Sequence, residues 1–199
     1  MKTQTGISSQ AGFTLYELLI TLLIVGVILS FGMANLGDFT RNGRMTATAN
    51  DLHAAFHLAR SEAARAKANI TICPSADPMA PVPACGGGWD QGYIVFQDGG
   101  VDLQVDGDDA VLRRHGPVEE NVTMNFTNGA TYFSYAATGL GRGNIGGDPA
   151  VAQVVMCDER GNITGAGGNS AARLFVVTPL GRATILRGKD QIDAAGGCP

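Results

Sequence analysis

An apolar run near the start of the chain restricts the folds open to it. Residues 13–34 contain a single charged residue, Glu17. As a helix, these 22 residues would extend about 33 Å, enough to cross the ~30 Å hydrocarbon core of a bilayer. No other segment of the 199 residues is comparably apolar. The run therefore predicts one membrane-spanning helix in a single-pass protein.

Two ordinary interpretations explain this segment less well. A secretory signal peptide needs a basic start, an apolar stretch of about 7–15 residues and a small-x-small cleavage site. Residues 1–12 carry only Lys2, and the FGMA sequence at 31–34 is a poor cleavage site. A plain membrane anchor explains the length but leaves Glu17 without a role, although a carboxylate in a membrane segment is costly and usually has a partner.

The segment at the start of the run carries a recognisable motif. It reads Gly12-Phe13-Thr14-Leu15-Tyr16-Glu17 and resembles the type IV prepilin motif G-F-T-L-x-E. The resemblance implies that a prepilin peptidase cuts between Gly12 and Phe13 and methylates the new N-terminal Phe13. It also implies that Glu17 pairs with the terminal amine of a neighbouring subunit. That amine would be a cation at neutral pH, and a lone buried carboxylate is costly, so the pairing is favourable.

The helical pattern continues beyond the apolar run. Small or apolar residues recur at steps of four and three, as expected for one face of a helix. They are Met45, Ala49, Leu52, Phe56, Ala59, Ala63 and Ala66. With no proline between Phe13 and Ile72, a helix is predicted over residues 14–68. The apolar stripe on the second half of this helix must be buried against other residues, and residues 69–199 are the candidate.

Strand-like runs separated by turn signals recur across residues 69–199. They are Asn69–Cys73, Gly92–Gln97, Val122–Thr127, Thr131–Tyr135, Val151–Cys157, Arg173–Thr178 and Arg182–Arg187. Two hairpins are predicted, one across Asn128-Gly129 and one across Pro179-Leu180-Gly181. Because no helical pattern alternates with these strands, the chain is predicted to be α+β, with a long N-terminal helix packed on an antiparallel sheet. A helical anchor joined to an unrelated domain is the alternative.

A second motif narrows the resemblance. The segment from Trp89 to Asp98 contains W-x-x-G-x-x-V-F-x-D, and Gly181-Arg182 opens the last predicted strand. Together with the N-terminal motif and the long helix, they resemble the GspH/FimT family of minor pseudopilins of type II secretion and minor pilins of type IV pili. The resemblance implies a type IV pilin-like fold.

The four cysteines predict disulfides in an exported domain, and four cysteines allow three pairings. We favour Cys73–Cys85, which closes a proline-rich loop, and Cys157–Cys198, which ties down the C-terminal tail. Zinc is the alternative, but the chain has no C-x-x-C spacing.

Other candidate sites are weaker. His53 and His57 are one helical turn apart, as in a chelating pair, but lack the glutamate of H-E-x-x-H; surface or subunit-contact positions are the preferred interpretation. An acidic cluster is predicted to be a solvated turn, because an EF-hand alignment puts Arg113 where the bidentate glutamate belongs. Its members are Asp98, Asp102, Asp106, Asp108 and Asp109. No cofactor, metal or catalytic residue is expected.

DNA binding is a further alternative. Some FimT-like pilins bind DNA through G-R-x-R in the last hairpin, but this chain has Thr184 in place of the second arginine. Arg182 and Arg187 remain candidates, with Arg173 and Lys189 as neighbours in a small basic patch. The formal charge of −4 disfavours a general nucleic-acid binder.

These inferences predict four segments. Residues 1–12 are the prepilin leader, 13–34 the transmembrane half of the helix, 35–68 its periplasmic half and 69–199 a β-rich head. The predicted protein is a non-enzymatic minor pilin or pseudopilin of the bacterial inner membrane, which primes or caps a pilus or pseudopilus. Its partners are prepilin peptidase and other major and minor pilins or pseudopilins. A DNA-binding competence pilin and a membrane-tethered periplasmic domain of unknown activity are the alternatives.

Overall fold

A computed structural model of the chain describes residues 12–107, 109–165 and 167–198, without the side chains of residues 31–35. Most of the predicted leader, residues 1–11, and Asp108 of the acidic cluster therefore lie outside the described residues. The chain divides into two compact units, with the boundary between Thr40 and Arg41. A helix apolar and long enough for a membrane crossing is not found in the described part of the chain.

The first element is the helix α1, Leu15–Ala66. It ends where Lys67 adopts a left-handed conformation with a φ of 52°, which is a common way to stop a helix. The predicted helix over 14–68 is thus confirmed to within two residues at each end. Six of the seven positions of the predicted stripe, Met45 to Ala63, are at most 2% exposed, whereas Ala66 is exposed because the helix ends there.

In the second unit, the helix packs on two antiparallel sheets. The described strands are β1 (Ile70–Pro74), β2 (Tyr93–Gln97), β3 (Val111–His115), β4 (Thr123–Phe126), β5 (Phe133–Tyr135), β6 (Gln153–Cys157), β7 (Asn169–Val177) and β8 (Ala183–Gly188). One sheet has the order β3-β2-β1-β5 and the other β4-β6-β7-β8. The α+β class with an antiparallel head is confirmed.

Alternation along the strands places each sheet between two apolar layers. In β2, Tyr93 and Val95 face the main core beneath α1, whereas Ile94 and Phe96 face a second cluster. In the other sheet, Phe175 of β7 faces the main core and Leu174 faces a third cluster. Both faces of both sheets are therefore covered by apolar residues, which explains why β2 is almost continuously apolar.

The hairpin between β7 and β8 is confirmed. Val177 pairs with Ala183 and Val176 with Thr184, across the Pro179-Leu180-Gly181 turn. The amide of Gly181 donates to the carbonyl of Thr178 at 2.7 Å and so closes the turn.

The hairpin predicted across Asn128-Gly129 is wrong. Asn128 and Gly129 do turn the chain, with φ values of 64° and 63°, but the strands on either side join different sheets. Strand β4 pairs with β6, whereas β5 pairs with β1. The turn chemistry is local, but the choice of partner depends on the main core, to which both strands contribute.

Two elements were not predicted from the sequence. Strand β3 reads VLRRH and lies at a sheet edge; its charged residues hide the apolar pattern of a strand. The helix α2, Lys189–Ala194, has only six residues, too few for a helical period. Its one buried residue, Ile192, covers the outer face of the second sheet.

Candidate functional site

The predicted cleavage site lies directly before α1. Residues 12–14 are not helical, and the first helical bond runs from the amide of Leu18 to the carbonyl of Thr14 at 3.2 Å. A Glu17 carboxylate oxygen accepts hydrogen bonds from the Thr14 amide at 3.0 Å and the Thr14 hydroxyl at 3.1 Å. The Glu17 amide donates to the Thr14 hydroxyl at 3.2 Å.

These reciprocal bonds form a capping box, which satisfies the free backbone donors at a helix start. Glu17 thus has a role within its own chain besides the intermolecular role implied by the motif. The capping box was not predicted above, although T-x-x-E before an apolar run is its sequence signature. Both functions need an oxygen at this position, but only the intermolecular pairing needs a negative charge.

Side chains around the capped helix start are exposed and apolar. Phe13 is 87% exposed. Other large apolar residues of this stretch have 40–77% of their surface accessible: Leu15, Tyr16, Leu18, Leu19, Ile20, Leu22, Leu23, Ile24, Val25, Val27, Ile28 and Leu29. A surface of this size on a soluble protein marks an interaction site with protein or lipid.

The W-x-x-G-x-x-V-F-x-D motif is explained by packing in the head. Trp89 stacks on Phe126 with ring centroids 4.3 Å apart, and its indole N–H donates to the carbonyl of Ala130 at 3.2 Å. Val95 and Phe96 are fully buried on opposite faces of β2. The motif therefore joins the second sheet to the first.

Gly92 in this motif has no room for a side chain. Its φ is +127°, and an added Cβ would overlap the carbonyl oxygen of His115 on the neighbouring strand. We expect Gly92→Ala to lower the free energy of unfolding by about 3 kcal/mol, from backbone strain and overlap together. Urea unfolding of the full chain in detergent measures this loss.

Gly86→Ala is the matched control for Gly92→Ala. Gly86 has a similar φ of +144°, but an added Cβ there meets nothing within 4 Å. It should therefore cost only the backbone strain, about 1–2 kcal/mol. Equal losses in the two variants would contradict the steric explanation for Gly92.

Asp98, the last residue of the motif, is buried, so the prediction of a solvated turn is wrong for this residue. It is 2% exposed and accepts a 2.6 Å hydrogen bond from the hydroxyl of Thr71. Arg142 bridges Asp98 at 3.5 Å and Asp102 at 2.8 Å. Burial raises the pKa of Asp98, while the bonds from Thr71 and Leu103 and the charge of Arg142 oppose that rise.

The rest of the acidic cluster organises its own loop. Asp106 accepts from the amide of Val101 at 2.8 Å, and Asp109 from the amide of Gly99 at 3.1 Å. Among the described residues, no group of three or more histidines, cysteines or carboxylates is arranged to hold a metal ion. Arg142, which the sequence analysis did not single out, ties this loop to the loop after β5.

The four cysteines form two disulfides, Cys73–Cys85 and Cys157–Cys198. These are the pairs chosen from the sequence. Cys73 and Cys85 belong to the cluster on the outer face of the first sheet, and Cys157 and Cys198 to that on the second. Each bond therefore fastens a loop or tail that covers an outer sheet face, and would contribute about 2–4 kcal/mol.

The two helix histidines are brought together. The Nε2 atoms of His53 and His57 are 3.2 Å apart, and their ring centroids 4.4 Å. His57 is exposed and His53 half-buried. The pKa of His57 is lowered, first by burial and then by the neighbouring His53 and Arg60.

The basic patch predicted around the candidate DNA-binding arginines loses one of its four members. Arg182 is exposed in the turn before β8, and Arg187 is exposed near the end of β8. Arg173 is only 3% exposed and donates to the carbonyls of Ser170, Ala171 and Ala172 at 2.8–3.0 Å. Burial, with Arg187 and Arg160 nearby, lowers the pKa of Arg173 to about 10. Including Arg173 in a surface patch is therefore wrong.

An exposed apolar helix start capped by the motif glutamate, and a later helical segment packed on antiparallel sheets, define a type IV pilin-like protein. Residues 7–33 match the prokaryotic N-terminal methylation motif. Residues 48–181, more than half of the chain, match the family described as type II transport protein GspH. The chain belongs to the GspH family and has the role of a minor pilin or pseudopilin.

Two solved structures illustrate the similarity. The type IV minor pilin FimU of Pseudomonas aeruginosa is 18% identical, with a TM-score of 0.49 over 76% of this chain and 94% of that chain. The minor pseudopilin EpsH from the type 2 secretion system of Vibrio cholerae is 9% identical, with a TM-score of 0.46 over 72% of this chain and 97% of that chain. A search of curated proteins finds no match.

Proposed function

We propose that this chain is a structural subunit held in the bacterial inner membrane by residues 13–34, with residues 69–199 in the periplasm. The exposed apolar surface that begins at Leu15 carries this proposal. Lipid would cover that surface before assembly, and the helices of other major and minor pilins or pseudopilins would cover it in a filament. The same surface thus serves both states, which is why it lacks a polar face.

Prepilin peptidase removes residues 1–12 and methylates Phe13 in the proposed pathway. The methylation motif match over residues 7–33 supports this step. The non-helical backbone of residues 12–14 supports it as well, because a peptidase needs access to the bond that it cuts. The new amine at Phe13 then lies next to the capping box.

The processing step predicts a defined N-terminus. When the full chain is expressed with an active prepilin peptidase, the N-terminal peptide of the membrane fraction should begin at Phe13 and carry one methyl group. Gly12→Val should leave the leader attached, because a branched side chain at the cut bond blocks the peptidase. Peptide mass spectrometry measures both outcomes.

Expression without the peptidase is the control and should leave residues 1–12 in place. A mature protein that starts near Asn35, or a parent chain that keeps Met1 although a known prepilin is cut in the same cells, would contradict the proposal. Either result would return the chain to the class of exported or anchored domains.

The head is proposed to prime or cap a filament of the type IV pilus or of the type II secretion pseudopilus. Its paired sheets and two disulfides support a rigid head that presents surfaces to neighbouring subunits. To distinguish the two filaments, the genes of each assembly machine are deleted in turn, and the amount of the chain in the sheared filament fraction is measured. The chain should disappear from that fraction only when the machine that assembles it is deleted.

A further inference from the structure

The pair His53 and His57 has a geometry that the proposed filament function does not use. Residues four apart on a helix lie one above the other, and here the two Nε2 atoms approach to 3.2 Å. The ring of His53 also packs edge-on against Phe175 of β7, with ring centroids 6.4 Å apart. His53 is therefore in contact with the core. His57 is open to solvent.

This separation suits two ligands of one metal ion. Imidazole nitrogens bind Zn²⁺ at about 2.0–2.1 Å, and two such bonds at an angle of ~100° place the nitrogens about 3.2 Å apart. From this starting distance, rotation of the two side chains, without a change in the helix backbone, is enough to turn both lone pairs toward one ion. Without a metal, the same approach is a hydrogen bond between the rings, in which one Nε2 donates and the other accepts.

We propose that His53 and His57 form a two-histidine site for a divalent transition-metal ion, with water in the remaining coordination positions. Imidazole ligands bind Cu²⁺, Ni²⁺ and Zn²⁺, and among these ions Cu²⁺ has the highest affinity for a given site. No third protein ligand is grouped with the pair among the described residues, so the affinity is below that of a structural zinc site. Arg60, which donates to the carbonyl of Gly181 at 3.4 Å, weakens it further by its charge.

The test uses the full chain in detergent, without a polyhistidine tag. Titration with CuCl₂, followed by calorimetry and by electron paramagnetic resonance, should show one Cu²⁺ bound through two imidazole nitrogens. His53→Ala and His57→Ala should each lower the affinity about a hundredfold, because a second ligand on the same helix acts at high effective concentration.

Two controls isolate the pair. Ala54→His combined with His57→Ala keeps the number of histidines but places them side by side in sequence, where they do not face each other; it should bind as weakly as His57→Ala. His115→Gln alters the chain's third histidine and should bind like the parent. Parent-like Cu²⁺ affinity in both single variants, or a spectrum with one imidazole nitrogen, would overturn the site.

Discussion

Replacing Glu17 with glutamine is expected to lower incorporation of the chain into filaments by at least about a hundredfold. Glutamine retains an oxygen that can accept the two hydrogen bonds from Thr14, so the capping box persists. It removes the negative charge that would pair with the Phe13 amine of a neighbouring subunit. Leaving the partner of a buried ion pair unpaired costs about 3–5 kcal/mol. The chain in sheared filaments, relative to membranes, measures the effect.

Thr14→Ala is the matched control, because it removes a hydroxyl of the capping box and leaves the charge of Glu17. A lost cap costs about 1 kcal/mol, so this variant should assemble to within several-fold of the parent. Peptide mass must first show that both variants are cut after Gly12. Parent-like assembly of Glu17→Gln would mean that Glu17 acts only as a helix cap.

Phe56→Ala is expected to reduce the free energy of unfolding by about 3–5 kcal/mol, the usual cost of deleting a buried aromatic ring. Phe56 is fully buried. Its ring centroid is 5.3 Å from that of Phe133 in β5 and 4.8 Å from that of Phe175 in β7. One side chain of α1 thus contacts strands of both sheets, and its loss opens a cavity where the three meet. Urea unfolding of the full chain in detergent measures the change.

Phe39→Ala provides the comparison on the same helix. Phe39 is 76% exposed, so its removal should change the unfolding free energy by less than about 0.5 kcal/mol. A similar loss in both variants would show that the unfolding signal does not report on the core around Phe56.

The buried stripe of α1 was predictable because it depends on local spacing. A helix face with apolar residues at steps of three and four is buried in a folded protein, whichever element packs on it. Leu52, Phe56 and Ala59 are fully buried, as expected. The hairpin between β7 and β8 was predictable for the same reason, since a three-residue turn leaves its strands adjacent. Strand β3 was not, because its arginines and histidine hide the strand pattern at the sheet edge.

The environment of polar residues could not be predicted. Asp98 belongs to an acidic run, which favours solvent, yet Thr71 and Arg142 enclose it. Arg173 belongs to a basic hairpin, yet the carbonyls of Ser170, Ala171 and Ala172 bind it in the interior. For His53 and His57 the sequence shows the spacing, but the ring positions that bring the Nε2 atoms to 3.2 Å appear only in the structure.

The helix, its buried stripe, the apolar start with Glu17 and the methylation motif follow from local sequence, because each depends on residues within a few positions of one another. Which strands share a sheet, and which charged residues are buried, depends on contacts between distant parts of the chain. Strands β4 and β5 are separated by a turn but pair with β6 and β1. Their partners depend on how distant apolar faces fit together against α1, and no local pattern encodes that fit.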